Sequence, residues 1–438
     1  MRRTLHSPSD LACRNPMLAG IILSLAVVCR SSAQTPPPTS LDRPLRLADC
    51  LAISEERQPS LVVGRARLAA AESKLAALDT LGITATVTRH DLPIRRQQAR
   101  LGVEITRADL HRLEVENRYV VTRAYLSVLY ARAQQTVVAD LVDDLSFLRE
   151  RIKVAVAKRD RPEWTQTTVD LVTLYVRRTE ARKAEADRGV NLALAALREA
   201  MGLPPLSCIR VADEPIPQPN VRVCREEIVA AAVSQRGEAI TSNVAVEVVE
   251  LEADAQAHRR TRGLVHTFAA GVDLHARHVP QPIYGEEFRP GGIPLAMPVA
   301  LAGSRDSRAE TAREYGVQAA AVAQKTRNLT ALEAEEAYYT WQEWSRKAAL
   351  YHEAEQIGNR LTGSLRQEFR GALKRVIEGI LPESLLAAQA RADYNEALFR
   401  QAVALAGLER VTGGAFCAGL VTPPAHDGKV SEPTAQPR

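Results

Sequence analysis

The sequence predicts a mainly α-helical fold in which very long antiparallel helices, similar to those of coiled coils, occur in two tandem repeats. Aromatic residues make up only 4% of the chain and charged residues 25%, which is typical of helices packed along their lengths. Two proline-free stretches of about 65 residues each are far longer than an ordinary helix of about 11–12 residues. The same order of elements occurs in both halves. Such long helices need partner helices along their whole extent.

The N-terminus has the parts of a secretory signal. Basic residues precede the apolar stretch Met17–Val28, and small residues follow as far as Ala33. Twelve apolar residues are too few to span a membrane as a helix. A buried core helix is the alternative interpretation, but the proline-rich composition of 34–44 argues against it. We therefore expect 1–33 to be a signal peptide cleaved after Ala33, and 34–44 to be a linker.

Residues 45–203 form the predicted first helical repeat. An opening helix covers 45–81, with a proline a few turns in. The segment Gly82–Pro93 is β-branched and bounded by glycine and proline, which predicts a strand, so this repeat has a truncated strand segment. The long helix and the returning helix of the repeat are placed at 95–158 and 163–201.

One face of the first long helix carries apolar residues at steps of four and three, which indicates a coiled-coil-like seam. Its members are Leu141, Leu145, Leu148, Ile152 and Ala155. We expect this seam to contribute to contacts between copies of the chain.

Residues 204–224 are a predicted linker, and 225–414 repeat the order of the first half. Alternating apolar and polar residues predict a strand near 264–279. A second strand near 293–301 is an edge or irregular strand, because it contains two prolines. The helices of this repeat are placed at 225–260, at 304–370 and up to about Val411. The tail, 415–438, is predicted to be disordered.

The order of these elements resembles the TolC-like outer-membrane efflux factor family, and the resemblance extends over most of the mature chain. Gln58–Leu61 stands where an Asn-Pro-x-Leu or Arg-Pro-Glu-Leu element is usual, and Arg236–Ala239 is its counterpart in the second half. The segment 291–310 is similar to the strand-to-helix corner of the family. Segments 192–204 and 399–414 are similar to its two repeat ends.

The resemblance implies a homotrimeric periplasmic tunnel of helices, capped by a β-barrel in the outer membrane to which every protomer contributes strands. It implies a passive export duct within a multi-part efflux or secretion system. The expected partners are a periplasmic adaptor protein and an inner-membrane transporter, and most of the chain is expected in the periplasm.

The first repeat departs from this pattern in length. Leu61 pairs with Ala239 at an offset of 178 residues, but Gly202 pairs with Gly413 at an offset of 211, so the first repeat is shorter by 211 − 178 = 33 residues. The gap falls near residue 82 and removes one strand, so we expect a reduced β-barrel contribution. A periplasmic helical scaffold that no longer spans the membrane is therefore the alternative function.

Motifs for catalysis, cofactors and metal sites are absent from the sequence, so a channel or scaffold is favoured over an enzyme. His352 and Glu353 begin a zinc-protease pattern, but Gln356 stands where the second histidine is needed. His275 and His278 point to opposite faces of a predicted strand and do not converge on one metal ion. Basic and acidic residues are interleaved at a net charge of +5, so no nucleic-acid partner is expected.

Cysteines remaining after removal of the signal lack the spacing of a zinc site. They are Cys50, Cys208, Cys224 and Cys417. Their disulfide state is left open, including a bridge between Cys208 and Cys224 in an oxidising compartment.

The candidate site residues lie at the two reversals between long and short helices, which we call the tips. They are Arg159, Asp160 and Arg161 at the first tip and Gly371, Lys374 and Arg375 at the second. Polar turns between helices are commonly just solvated, whereas the family resemblance implies that the tips meet the adaptor protein. A nearby acidic cluster, Asp140, Asp143 and Asp144, is either a solvated face or, in a trimer, a lumenal ring.

Overall fold

The computed structural model describes residues 43–81, 90–158, 165–258, 265–267, 300–368 and 381–421. Its elements, in chain order, are α1 Leu47–Arg57, α2 Pro59–Asp79, α3 Leu92–Lys158, α4 Gln166–Ala200, α5 Arg225–Gln235, α6 Gly237–His258, β1 Val265–Thr267, β2 Ala300–Ala302, α7 Arg305–Glu368 and α8 Leu381–Val411. The predicted mainly α-helical fold is confirmed, and the long helices α3 and α7 contain 67 and 64 residues.

The two repeats match element by element. Helices α1 and α2 begin 178 residues before α5 and α6, and α4 ends 211 residues before α8, as the sequence offsets predict. A break at Gln58 separates α1 from α2, and a break at Arg236 separates α5 from α6. Both break residues have an extended backbone.

The prediction of one continuous helix over 225–260 was therefore wrong. No proline marks the break at Arg236, where φ is −70° and ψ is 136°. The following residue, Gly237, lies so close to α3 that an added Cβ would stand 2.6 Å from the carbonyl oxygen of Ala108. The break depends on this close packing between helices, which a local sequence pattern does not report.

The strand predicted at Gly82–Pro93 is wrong at its C-terminal end, because α3 begins at Leu92. Pro93 fits the first helical turn, where its missing N–H has no intrahelical partner. The rest of that prediction, 82–89, lies outside the described residues.

β1 and β2 form an antiparallel pair next to the start of α7. The paired residues are Val265 with Ala302, His266 with Leu301 and Thr267 with Ala300. Of the strands predicted at 264–279 and 293–301, the structure shows β1 and β2. Residues 268–299 lie outside the described residues. Gly303 then turns the chain into α7 with a φ of 102°, a conformation that favours glycine.

The helices pack side by side in a fixed order. Along one half of the long helices the order is α2–α3–α6–α7, and along the other half it is α4–α3–α8–α7. Near its middle, α3 therefore exchanges both of its neighbours, α2 and α6, for α4 and α8, whereas α7 exchanges only α6 for α8. Because α6 and α8 both pack against α3, the second repeat is held directly on the first.

The predicted apolar seam of α3 is buried within the chain. Leu145 and Ile152 are 1% and 0% exposed, and they pack with Val172 and Val176 of α4. Leu148 belongs to the same cluster, which α8 completes from the other side. The expectation that this seam joins copies of the chain is therefore corrected: periodicity identified the apolar face but not the helix that covers it.

The start of the described chain is tied to the linker 204–224. The N–H of Leu45 donates to the carbonyl of Arg210 at 2.7 Å, and the N–H of Ala212 donates to the carbonyl of Leu45 at 2.9 Å. These bonds form a short parallel bridge that fixes the linker alongside the opening of the first repeat.

The four cysteines are free thiols in the structure. Burial raises the pKa of the Cys50 thiol to about 12, which suits a packed and unreactive side chain. Beyond Cys417, Ala418 and Leu420 are buried, so the chain at the start of the predicted tail is packed. Residues 422–438 of that tail lie outside the described residues.

Candidate functional site

The predicted tip residues fall outside the described residues. They are Arg159, Asp160 and Arg161 within 159–164, and Gly371, Lys374 and Arg375 within 369–380. The described helices approach both tips closely, since α3 ends at Lys158 and α7 ends at Glu368. The surfaces next to the tips are therefore the part of the candidate site that can be described.

An acidic groove lies between α3, α7 and α8 on the side of the tips. Its volume is about 410 Å³, and Asp140, Asp143 and Asp144 of α3 line it. Residues three and four positions apart share one face of a helix, so the three carboxylates are presented together. Arg391 of α8 reaches across, and its Nη1 lies 3.0 Å from Oδ2 of Asp140. Three aspartates and one arginine leave this wall with a net negative charge.

Close packing of α7 on α8 forms the far wall of the acidic groove. An added Cβ on Gly358 would stand 3.1 Å from Cα of Ala387, so the helices approach as closely as glycine permits. The sequence predicted the three aspartates as a cluster. It gave no sign of Arg391, because that residue is 251 positions away from Asp140.

A buried charge network joins α3, α6 and α7 at the end of the helices next to the strands. Arg95 pairs with Glu252, and their side chains are 6% and 0% exposed. Gln256 donates to Oε1 of Glu252 at 2.6 Å, and Arg308 donates to Oε1 of Gln256 at 2.9 Å. Arg308 also donates to the carbonyl of Gly303 at 2.7 Å. The network thereby connects the residue after β2 to three helices.

A second buried network holds the helix break at Arg236. The Nε of Arg236 donates to Oε2 of Glu238 at 2.9 Å, and its Nη1 pairs with Glu333 of α7. Arg410 of α8 donates to Oε1 of Glu333 at 3.0 Å and stands 5.3 Å above the ring of Tyr119. Burial opposes the charge of Arg236, but the two carboxylates outweigh it and raise the pKa of the guanidinium. Buried charges persist only when paired in this way.

The equivalent break in the first repeat is held by neutral groups. Ser54 Oγ donates to the carbonyl of Ala200 at 3.0 Å, and Asn117 Nδ2 donates to Ser54 Oγ at 2.7 Å. Gln58 Nε2 donates to the same carbonyl at 3.3 Å. The sequence identified Arg236 as the counterpart of Gln58 but missed its buried partners. The only signal of these partners in the sequence is that an arginine stands where the first repeat has the neutral Gln58.

The outermost helices of the packing order each expose apolar side chains in the described part of the chain. On α7, exposed apolar residues recur at intervals that return to one face, and we call them the α7 row. The row consists of Val317, Leu332, Tyr339, Leu350, Ile357 and Leu361, which are 38–67% exposed. At the other end, α4 exposes Leu174 and Leu192. Apolar side chains that recur on one face of a long helix are typical of a face that other protein covers.

Within the described ranges, no group of three or more His, Cys, Asp or Glu side chains could hold a metal ion. His352 packs its ring 4.9 Å from that of Tyr394, and its Nε2 lies 2.9 Å from Nε2 of Gln356. His275 and His278 lie outside the described residues. By hydropathy, the helices of the described chain include none with the length and apolarity needed to cross a membrane.

Comparison with solved structures finds this helix arrangement in outer-membrane channels. The outer membrane protein VceC from Vibrio cholerae matches with a TM-score of 0.63 and 14% identity, over 84% of this chain and 96% of VceC. The outer-membrane channel OprN matches with a TM-score of 0.64 and 12% identity, over 84% and 90% of the two chains. The open state of the Neisseria gonorrhoeae MtrE outer membrane channel gives 0.62 and 12%, over 84% and 89%.

No protein-family model and no curated protein sequence matches the chain. The likeness is therefore one of backbone arrangement. On this evidence the chain has the fold of the TolC-like outer-membrane efflux proteins.

Proposed function

We propose that this protein is the outer-membrane and periplasmic channel component of a multi-part efflux or secretion system, in which it acts as a passive export duct. The observation that carries the proposal is the packing order α4–α3–α8–α7, which ends in an exposed apolar side at both α4 and α7. Such a set of helices is completed by further copies of itself. The fold shared with solved outer-membrane channels supports the same function.

The dimensions of the helices suit the wall of a tunnel. Neighbouring helices lie about 8–10 Å apart, so four side by side cover about 40 Å. Three copies give a ring of about 120 Å circumference and about 38 Å diameter between helix axes, which leaves a lumen of about 28 Å inside helices of about 10 Å width. Helix α3, with 67 residues, is about 100 Å long. We therefore propose a homotrimer in which Leu350, Ile357 and Leu361 of the α7 row of one copy pack against α4 of the next.

We place the adaptor contact at the tips. The first tip supplies two arginines beside Asp160 and the second supplies Lys374 and Arg375. These long cationic side chains reach carboxylates of a partner protein more readily than short ones do. An inner-membrane transporter would supply the energy, because this chain carries no motif for nucleotide hydrolysis.

The proposal is tested with the purified full-length protein. Native mass spectrometry measures its assembly state, and a planar lipid bilayer measures ion conductance. A trimer with steady conductance supports the export duct. A monomer that does not conduct contradicts it.

A periplasmic scaffold that does not span the membrane is the second candidate, and the short connector of the first repeat favours it. Twelve residues, 80–91, join α2 to α3, whereas 259–304 join α6 to α7. A membrane-spanning strand has about 9–11 residues, so a hairpin of two strands needs about twenty. The first connector is too short for such a hairpin. A trimer that fractionates with soluble periplasmic proteins and does not conduct would establish the scaffold.

A further inference from the structure

A second groove, which we call the basic groove, lies between α3, α4 and α8. Its volume is about 290 Å³, close to the lower end of small-molecule sites. Val137, Val138 and Leu141 of α3 line it together with Ala388 and Ala392 of α8. Leu141 also belongs to the buried cluster beneath and Ala388 packs against that cluster, so the floor is continuous with the core. The basic groove therefore offers an apolar surface that is already supported by packed helices.

Two arginines stand at the rim of the basic groove. Arg178 and Arg182 are four residues apart on α4, so both face the groove from the same side of that helix. Both are exposed, and neither has an ion-pair partner among the described residues. Their neighbour Arg177 differs, since it pairs with Glu180 at 2.8 Å. The groove thus combines an apolar floor with unpaired positive charge at one edge.

The basic groove is short and bounded at one end. Gln134 Nε2 donates to the carbonyl of Ala392 at 2.8 Å and ties α3 to α8 there. One turn further along α3, the rings of Tyr130 and Phe399 stack 4.8 Å apart. The lining residues of α3 extend from 134 to 141, which is about 10 Å of helix. This length suits a small ligand rather than a helix of several turns.

We propose that the basic groove binds an anionic amphiphile, a molecule with a compact apolar body and a carboxylate or sulfonate head. The apolar body would lie on the valines and alanines of the floor. The head would accept hydrogen bonds from Arg178 and Arg182, whose guanidinium groups suit paired oxygens. This inference rests on the contacts of a single chain.

The acidic groove adjoins the basic groove, since Val137, Leu141 and Ala388 line both, and it provides an internal comparison. It is larger, but Asp140, Asp143 and Asp144 line it, and its arginine is already paired with Asp140. An anionic head would be repelled there. The charge of the head group should therefore determine which of the two grooves an amphiphile occupies.

The test uses the full-length protein and the fluorescent anionic amphiphile 8-anilino-1-naphthalenesulfonate. Decanoate serves as an anionic competitor. Decyltrimethylammonium, which has an alkyl chain of similar length and a positive head, serves as the cationic competitor. The test variant is Arg178→Glu with Arg182→Glu. The matched control is Arg177→Glu with Arg188→Glu, which changes the net charge of the same helix equally but outside the groove. Thermal melts check that every variant is folded.

We expect the test variant to raise the Kd of the probe about tenfold or more, and the control to leave it within about twofold. Ala388→Phe should reduce binding with both arginines intact, because the added ring fills the floor. Decanoate should displace the probe, whereas decyltrimethylammonium should not. Equal weakening in both charge-reversal variants, or equal displacement by the two competitors, would overturn the proposal.

Discussion

Gly202 and Gly413 are structural equivalents: each ends a repeat with a positive φ, 66° and 64°, and each packs against the helix break that opens the same repeat. An added Cβ at Gly202 would stand 2.7 Å from the carbonyl oxygen of Arg57. At Gly413 it would stand 2.9 Å from the carbonyl oxygen of Gln235. Each repeat therefore ends at a glycine that packs against the helix break near the start of the same repeat.

Gly202→Ala and Gly413→Ala should each lower the free energy of unfolding by about 1–3 kcal/mol through backbone strain, with the steric clash adding to this. Gly189→Ala is the matched control, because an added Cβ there meets nothing within 4 Å and α4 is helical at that point. The control should be neutral or stabilising by up to about 1 kcal/mol. Urea denaturation measures all three, and equal effects at the three positions would contradict the structure.

Leu148→Asp should destabilise the folded chain by about 3–5 kcal/mol, because it places an unpaired charge in the apolar cluster between α3 and α4. The adjacent variant, Phe147→Asp, is the control, since Phe147 is 64% exposed while Leu148 is 7% exposed. Its effect should stay within about 1 kcal/mol. Thermal melting distinguishes them, and similar melting temperatures for both variants would show that the seam is not buried.

Leu350→Glu with Ile357→Glu should dissociate the proposed trimer without changing the melting of the monomer, because both residues are exposed members of the α7 row. Leu206→Glu with Leu386→Glu introduces the same charge at exposed positions away from the row. Size-exclusion chromatography with light scattering gives the molar mass. If only the control pair dissociated the assembly, copies would not meet at the α7 row.

Arg159→Glu with Arg161→Glu should impair export while trimerisation and melting temperature stay near those of the parent. Exposed ion pairs are worth only about 0–1 kcal/mol each, so the fold should tolerate the reversal. Repetition around a threefold axis would place six altered charges at one rim. Arg65→Glu with Arg67→Glu, at the same spacing on the exposed side of α2, is the control. An efflux assay in a strain that lacks the chromosomal copy measures export by each variant. Full export by Arg159→Glu with Arg161→Glu would show that the first tip is merely solvated.

Glu409→Gln should raise the melting temperature near pH 7. Burial raises the pKa of the Glu409 carboxyl above its ordinary value of 4.5, so the folded chain holds this proton more tightly than the unfolded chain. The ionised Glu409 carboxylate therefore destabilises the folded chain fully at a pH above its pKa in the folded state. This destabilisation vanishes at a pH below the pKa of the carboxyl in the unfolded state. The gain from Glu409→Gln should therefore shrink as the pH falls to about 4. Glu353→Gln, at an exposed position of α7, is the control, and a gain independent of pH would contradict burial as the cause.

Periodicity and chain breakers were enough to predict the long helices and the two repeats. The proline-free stretches predicted the positions of α3 and α7. The offsets between the repeats came from two pairs of equivalent residues, Leu61 with Ala239 and Gly202 with Gly413, and the helices follow these offsets. These features are local, because they depend on backbone hydrogen bonds and on residues a few positions apart. The end of α8 at Val411 was predicted for the same reason.

Features that depend on distant residues could not be read from the sequence. The break at Arg236 requires α6 to approach α3, and its charge is balanced by Glu333, 97 residues further along the chain. In the acidic groove, spacing on one helix predicted the three aspartates, but Arg391 comes from the other repeat. The contacts of the tips remain predictions.

The short connector between α2 and α3 joins helices that hold each other independently of it. Arg96 of α3 donates from Nε to the carbonyl of Leu78 in α2 at 3.0 Å, and its Nε lies 3.7 Å from Oδ1 of Asp79. The entropy of loop closure rises by only about 0.6 kcal/mol for each doubling of loop length, so extending this connector to the length of 259–304 costs on the order of 1 kcal/mol. Foreign sequence inserted within 82–89 should therefore leave the register of both helices intact. The same tolerance gives evolution a position where the chain can gain or lose a whole segment without refolding the rest, and it gives the experimenter a position for an epitope or a fluorescent domain.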